Sequence, residues 1–407
     1  MVIKDTRPRY PRRGPSCMLV LFVILGVVLS VFVMINRDDV RAVIIPTAIP
    51  TPTRSATEYA LLADLSEQDG EYTDAIDYYK TAIRLDATRP EFYIRLINLL
   101  VARNRAEEAI EAAEQVTILA PDNDRVWTAV ASAYLANGTR LEDIGDPAGA
   151  SLQYAQAWQA AREAININAE NATAYAYAAG GLVLQGSPDK YAQAQELADF
   201  AIYLEPNNPW ARYYMATVFV YLGEYTQAIT QLQLGIEADP TIPDLYYSLA
   251  YNYYADSNVP LAIVTLEDAL AIAPDYAPAY DGLAHMYLQL GEDALAEENA
   301  IKSVELNPNV ARAQGRLGEA YFRRSNFPKA VEHLELAVQM YGEPTALNAR
   351  FFNMLASSYY RTDTNLCDKA TPLFQQVIEV SPVESPTAVQ AVEGLELCRL
   401  ASLGTTP

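Results

Sequence analysis

Three tyrosines, Tyr247, Tyr251 and Tyr254, are spaced by four and three residues, so a helix presents their rings on one face. Tyrosine combines a large rigid ring with a hydroxyl group, and both features suit the recognition of a partner. An earlier aromatic stripe and a later histidine extend this pattern. The candidate partner-binding residues are Trp210, Tyr213, Tyr221, Tyr247, Tyr251, Tyr254 and His285. The structural alternative is that these rings pack between neighbouring helices.

Residues able to carry catalysis are scarce, since 407 residues include only 2 His and 3 Cys. The sequence has no phosphate-binding P-loop, no G-x-S-x-G motif and no H-E-x-x-H motif. The formal charge of −22 disfavours nucleic-acid binding, which needs a basic face to meet phosphates. We therefore expect a non-enzyme without a metal ion or a cofactor, and without a nucleic-acid partner.

Three acidic residues, Glu142, Asp143 and Asp146, lie close together and raise the question of a cation site. Their spacing differs from the alternating ligand pattern of a calcium-binding loop. Asp146 precedes Pro147, and this pair is typical of a helix start. We interpret residues 139–152 as a solvated loop that leads into a helix.

A period of 34 residues runs through most of the chain. Prolines show it best, and they recur at Pro206, Pro240, Pro274 and Pro308. In residues 243–276 the apolar positions follow helical spacing twice, with a short break between the two runs. Each period therefore predicts a pair of helices, and such pairs must stack because one pair alone cannot bury both of its faces.

These features resemble the tetratricopeptide repeat, a helix–turn–helix unit of 34 residues. Nine units are expected, at residues 56–89, 90–123, 124–171, 172–208, 209–242, 243–276, 277–310, 311–348 and 349–384. The resemblance implies an all-α, right-handed superhelical solenoid over residues 56–384. A cap helix at residues 385–402 is predicted to close it.

Small residues mark where the two helices of each predicted pair cross. In the second helix this residue is alanine in all nine units: Ala75, Ala109, Ala157, Ala194, Ala228, Ala262, Ala296, Ala330 and Ala370. Glycines are expected to join the two helices in five units, at Gly70, Gly138, Gly186, Gly223 and Gly291.

Two of the three cysteines lie at the end of the repeat array. Cys367 begins the second helix of the last unit, and Cys398 lies late in the cap helix. In an oxidising compartment we expect a disulfide that fixes the cap to the last repeat. Two buried thiols are the alternative.

The N-terminus differs from the rest of the chain. Residues 1–15 carry five basic side chains and one acidic one, so the remaining residues have a formal charge of −26. Residues 16–36 are predicted to be one transmembrane helix, because Cys17–Ile35 has neither a charge nor a proline. A cleaved signal peptide is the alternative.

A Pro/Thr-rich linker is expected at residues 37–55. The positive-inside rule then places the N-terminus in the cytoplasm and the repeats outside it.

Resemblance to the tetratricopeptide family implies that the stacked first helices line a concave groove for partner segments. We therefore expect a membrane-anchored, extracytoplasmic scaffold that binds a protein or peptide through the aromatic residues named above. Binding of a glycan or cell-wall polymer by the same tyrosines is an alternative, and an accessory subunit of an envelope enzyme is another.

Overall fold

A computed structural model describes residues 17–35 and 54–403. The chain divides into two compact units, residues 1–55 and residues 56–407. In the first unit, helix α1 spans Cys17–Ile35, a run of 19 uncharged residues. Within the described residues, no helix combines the length and the apolar character that a membrane crossing requires. The predicted transmembrane helix at 16–36 is therefore not confirmed. The predicted basic N-terminus lies outside the described residues, as does the linker apart from residues 54 and 55.

The second unit contains nine consecutive helix pairs and a final helix, and the described residues include no strand. The pairs are α2 (Ala56–Gln68) with α3 (Tyr72–Leu85), α4 (Pro90–Ala102) with α5 (Ala106–Leu119), α6 (Asp124–Asp143) with α7 (Pro147–Ile167), α8 (Ala172–Val183) with α9 (Tyr191–Leu204), α10 (Pro209–Leu222) with α11 (Tyr225–Ala238), α12 (Pro243–Ala255) with α13 (Val259–Ile272), α14 (Ala277–Leu290) with α15 (Asp293–Leu306), α16 (Ala311–Arg323) with α17 (Phe327–Tyr341), and α18 (Ala349–Thr362) with α19 (Cys367–Val380). Helix α20 spans Pro386–Ser402, and short 3₁₀ turns lie at Pro188–Lys190 and Thr364–Leu366.

The alanines of the second helices explain why the two helices of a pair approach so closely. All nine of these alanines are completely buried. In the eighth pair the facing residue of the first helix is Gly318, where a Cβ atom would lie 2.5 Å from Cγ of Leu334. Each second helix packs between two first helices, and first helices of neighbouring pairs also contact each other along most of the array. The even-numbered helices α4 to α18 therefore lie on a common face, with direct packing between neighbours from α4 to α10 and from α12 to α18.

Helix starts and joints follow the local sequence. Asn208 caps α10 by accepting a hydrogen bond from the backbone N–H of Ala211, and proline occupies the first turn of that helix. Gly223 ends α10 in the left-handed conformation that glycine adopts without steric cost. Three pairs without a glycine between their helices use another residue with positive φ, namely Asn104, Ser257 and Ser325, and the ninth pair has the 3₁₀ turn Thr364–Leu366 there.

The third pair corrects two expectations. Its additional residues lengthen both helices, so α6 has 20 residues and α7 has 21, against 12 to 15 in the other pairs. Gly138 is therefore buried inside α6 and does not join the helices; Gly145 takes that position with a φ of +85°. The interpretation of residues 139–152 as a solvated loop is wrong outside residues 144–146, because both helices continue into this segment. The helix start predicted at Asp146 and Pro147 is confirmed, and Asp146 accepts a hydrogen bond from the backbone N–H of Gly149.

The final helix is fixed to the array as the sequence predicts. Helix α20 packs against α18 and α19. A disulfide joins Cys367 to Cys398, whose Cα atoms are 5.4 Å apart. Cys398 of α20 is buried. Phe374 of α19 packs against Gly394 of α20. The disulfide pairing expected from the sequence is thus present in the structure.

Candidate functional site

The aromatic residues of the fifth pair form a compact group of rings on α10. Trp210 lies with its ring centroid 6.0 Å from Tyr177 of α8 and 5.8 Å from Tyr213. Tyr213 also packs edge-on against Tyr214, with centroids 5.0 Å apart. Trp210 and Tyr213 remain partly exposed, whereas Tyr214 is buried. The group therefore joins neighbouring repeats and leaves part of its ring surface exposed.

A second group of rings lies on α12 and α14. The centroids of Tyr247 and Tyr251 are 4.8 Å apart. The ring of His285 stacks on Tyr251 at 6.0 Å and lies 5.0 Å from Tyr254. All four side chains are partly exposed. The structure thus brings together the residues predicted from the sixth and seventh repeats, and we call this set (Tyr247, Tyr251, Tyr254 and His285) the aromatic face.

Tyr221 lies apart from both groups. Its ring contacts Tyr191 at the start of α9, with centroids 5.2 Å apart, and it is exposed. Burial raises the pKa of Tyr221, and the negative charge of Glu142 adds to this effect. Tyr221 therefore lies near the lengthened end of α6.

Sequence reasoning missed an ion-pair network beside the aromatic face. Asp281, which is only 2% exposed, pairs with both Arg312 and Arg316 of α16. Nη1 of Arg316 also donates to the backbone carbonyl of Asp281 at 2.9 Å and to the hydroxyl of Tyr251 at 3.3 Å. Asp281 occupies the position of Tyr213 and Tyr247 in the 34-residue register. A comparison of this position across all repeats would have identified Asp281 as a charged residue where the two preceding repeats carry tyrosine.

The network has clear electrostatic consequences. Burial opposes ionisation of Asp281, but Arg316 and Arg312 outweigh it and hold the pKa of Asp281 below its usual value. Burial, together with the positive charges of Arg316 and Arg350, lowers the pKa of His285 to about 3. His285 is therefore neutral at pH 7. Among the described residues, no three His, Cys, Asp or Glu side chains converge as a metal site requires.

Several buried polar atoms of this region make no hydrogen bond to a described protein atom. They are Oδ1 of Asp281, Nδ1 of His285, Nε of Arg316 and Oε2 of Glu319. Buried polar groups are nearly always hydrogen-bonded in folded proteins. These atoms are shielded from solvent, whereas the side chain of Arg312, which belongs to the same network, is 36% exposed beside the partly exposed rings.

The lengthened end of the third pair reaches this region from the other side of the array. We call residues 141–146 the repeat-three tip. Oδ1 of Asp143 lies 3.4 Å from Nη2 of Arg312. A Cβ atom added at Gly145 would lie 3.1 Å from Cα of Tyr341 and 3.2 Å from the carbonyl oxygen of Met340. A separate ion pair joins Arg103 to Asp275. Repeats that are distant in the sequence therefore touch.

Comparisons with known proteins agree with the architecture. Tetratricopeptide repeat profiles match residues 67–133, 213–278 and 282–343. The chain is 24% identical to Protein CTR9 homolog of Arabidopsis thaliana over 359 residues, which cover 79% of this chain and 32% of that protein. It is 23% identical to Anaphase-promoting complex subunit 3 of Schizosaccharomyces pombe over 144 residues, which cover 35% of this chain and 22% of that protein. The chain thus spans about a third or less of the length of these relatives.

Among solved structures, the APC/C hetero-tetramer Cut9–Hcn1 is similar, with a TM-score of 0.50 and 14% identity over 84% of this chain and 76% of that one. Yeast Tom70 is also similar, with a TM-score of 0.45 and 16% identity over 86% of this chain and 96% of that one. The helix pairs of the second unit are therefore an all-α solenoid that contains tetratricopeptide repeats.

Proposed function

We propose that the repeat domain is a non-catalytic scaffold that binds an extended segment of a partner protein along the even-numbered helices, centred on the aromatic face. The observation that carries this proposal is that partly exposed rings on neighbouring first helices lie together beside Arg312, whose side chain is 36% exposed. An extended peptide supplies apolar side chains for the rings and backbone carbonyls that accept hydrogen bonds from the guanidinium group.

The repeat-three tip favours a polypeptide over a glycan as the ligand. Asp143 already brings a protein side chain to Arg312, at one end of the aromatic face. This surface is therefore compatible with a polypeptide backbone at close range. The formal charge of −26 outside the first fifteen residues further favours a neutral or basic partner over an acidic one.

A photo-crosslinking experiment tests the proposal. Benzoylphenylalanine replaces Tyr254 in the full chain, and the control chain carries it in place of Tyr203, which is 78% exposed on α9. A discrete protein adduct at position 254 that is absent at position 203 supports the proposal. Adducts that are the same at both positions contradict it. A catalytic chain in the adduct would instead identify this protein as an accessory subunit of an enzyme.

Substitution of the rings provides the matching loss-of-function test. Replacing Tyr247, Tyr251 and Tyr254 with alanine removes the aromatic face, and circular dichroism reports whether the helices persist. Loss of the crosslinked partner in a folded variant supports the proposal. Capture that persists in the folded variant contradicts it, and competition by a soluble oligosaccharide would favour the glycan alternative.

We further propose that residues 16–36 attach the protein to a membrane, with the repeat domain outside the cytoplasm. The apolar sequence of α1 and the preceding basic residues support this. The disulfide at the other end of the chain supports an oxidising compartment. Alkaline carbonate extraction of membranes tests the attachment. A protein released by carbonate, or a mature chain that lacks its first forty residues, contradicts it.

A further inference from the structure

The repeat-three tip makes contacts that a solenoid does not ordinarily make. Repeat arrays are held together by contacts between neighbouring repeats. Gly145 and Tyr341 are 196 positions apart in the sequence, yet their backbones approach closely. Arg103 and Asp275, which are 172 positions apart, form an ion pair at a second place. The array is therefore closed upon itself at two points.

The tip lies beside the surface that we propose for partner binding. Its Glu142 affects the pKa of Tyr221 on α10, and its Asp143 pairs with Arg312 on α16. The helices α12 and α14, which carry the aromatic face, lie between α10 and α16 in the array. The tip therefore contacts α16 on one side of the aromatic face and lies near α10 on the other.

We propose that the repeat-three tip is an intramolecular occupant of the groove, which must leave before a partner segment gains full access to the aromatic face. This inference rests on the proposed function for its biological meaning. The docking of the tip itself stands on the contacts alone.

Close backbone packing at Gly145 is the contact that a substitution can disturb most directly. Burial raises the pKa of Asp143 despite the attraction of Arg312, so we do not expect the ion pair alone to hold the tip. A Cβ atom at Gly145 would lie 3.1 Å from Cα of Tyr341 and 3.2 Å from the carbonyl oxygen of Met340, so these neighbours must move to admit it, and a larger side chain adds further atoms to this contact. A side chain at position 145 should therefore release the tip.

The chain offers a matched control for this substitution. Gly145 has a φ of +85° and Gly291 a φ of +78°, so a new side chain meets similar backbone strain at both. Asparagine tolerates this conformation best among the larger residues. No atom lies within 4 Å of a Cβ added at Gly291. Gly291→Asn therefore reproduces the strain of Gly145→Asn without its clash.

Distance measurement by electron paramagnetic resonance tests the docking. Nitroxide labels are attached at Ala148→Cys and Glu343→Cys, both exposed, in a full chain that also carries Cys17→Ser. We expect one short distance in the parent and in Gly291→Asn, and a loss of at least half of this population in Gly145→Asn. A parent without the short distance, or a folded Gly145→Asn variant with an unchanged distribution, would overturn the proposal.

Nitration by tetranitromethane, mapped by mass spectrometry, tests access to the aromatic face without any partner. Tyr203 is the internal reference because it is 78% exposed on α9. We expect nitration of Tyr251 relative to Tyr203 to rise several-fold in Gly145→Asn and to stay constant in Gly291→Asn. An unchanged ratio in a variant whose tip has left would overturn the gating role. Because no partner is present, this outcome is independent of whether the proposed function holds.

Discussion

Asp143 of the third repeat lies 3.4 Å from Arg312 of the eighth, measured from Oδ1 to Nη2. The two residues are 169 positions apart in the sequence. Arg312 also binds Asp281 through its Nε at 2.8 Å. One guanidinium group therefore connects the lengthened third pair with the network beside the aromatic face.

The buried ion pair of Asp281 and Arg316 should be sensitive to the loss of one partner. Arg316→Met leaves Asp281 buried with Arg312 alone, and we expect the free energy of unfolding to fall by about 3–5 kcal/mol. Urea denaturation followed by circular dichroism measures this change. The control is Lys302→Met, which breaks the exposed pair between Lys302 and Glu305 and should have no measurable effect. Equal decreases in the free energy of unfolding for Arg316→Met and Lys302→Met would contradict a special role for the buried ion pair.

Apolar replacement of both partners extends this test. The double variant Arg316→Met, Asp281→Leu removes both buried charges together, so it should recover most of the stability that Arg316→Met loses. If the double variant is less stable than Arg316→Met, the cost does not come from a buried carboxylate that has lost one of its two arginine partners.

The pH dependence of stability should reflect His285. Its pKa falls from the ordinary value of 6.5 to about 3 in the folded protein, so the unfolded chain binds the additional proton between these values. Stability is therefore fully present above pH 6.5 and decreases as the pH falls, by up to about 1.4 kcal/mol per pH unit. Urea unfolding of the parent and of His285→Gln, measured at pH 7 and pH 5, tests this.

We expect the parent to lose more stability than His285→Gln between these two pH values. His333→Gln is the comparison variant, because the same burial effect lowers the pKa of His333 less strongly. An identical pH dependence in the parent and His285→Gln would show that His285 is not buried in its neutral form.

The disulfide should stabilise the C-terminal end of the array. It closes a loop with a sequence separation of 31 residues, for which the loss of chain entropy corresponds to about 3–4 kcal/mol. Reduction should therefore accelerate hydrogen exchange in α20 and α19 first, while α10 to α13 stay protected because each repeat packs mainly against its neighbours. Mass spectrometry with and without a reductant measures this. Uniform exchange changes along the array would contradict a local role.

The helix crossing of the eighth pair should not tolerate a larger residue. At Gly318 a Cβ atom would lie 2.5 Å from Cγ of Leu334 and 3.2 Å from its backbone N. We expect Gly318→Ala to destabilise the protein by about 1–3 kcal/mol through overpacking, although alanine is the better helix former. Thermal unfolding of this variant measures the change, and an increase in stability would show that the crossing can widen.

Much of the fold follows from the sequence because each repeat is defined by residues close to one another in the chain. The period of 34, the alanines at the helix crossings and the terminal prolines predict the helix pairs. The candidate ring clusters were predictable for the same reason. Tyr247 and Tyr251 lie on one helix, and His285 lies one period later, so neighbour stacking brings them together.

The third pair shows where this reasoning fails. Gly138 has the position of a joint in the aligned repeats, but the inserted residues extend α6 and bury it. Local sequence did not reveal that these residues form one to two more turns on each helix, because helical propensity alone does not separate a long helix from a helix followed by a loop.

The sequence by itself determined the units, their order and the residues that each contributes to the common face. Only the tertiary structure decided that the repeat-three tip meets Arg312 and Tyr341, and that Arg103 meets Asp275. The physical reason is cumulative: small rotations between successive repeats add up along the array, and their sum decides which distant repeats meet. No single repeat encodes that sum.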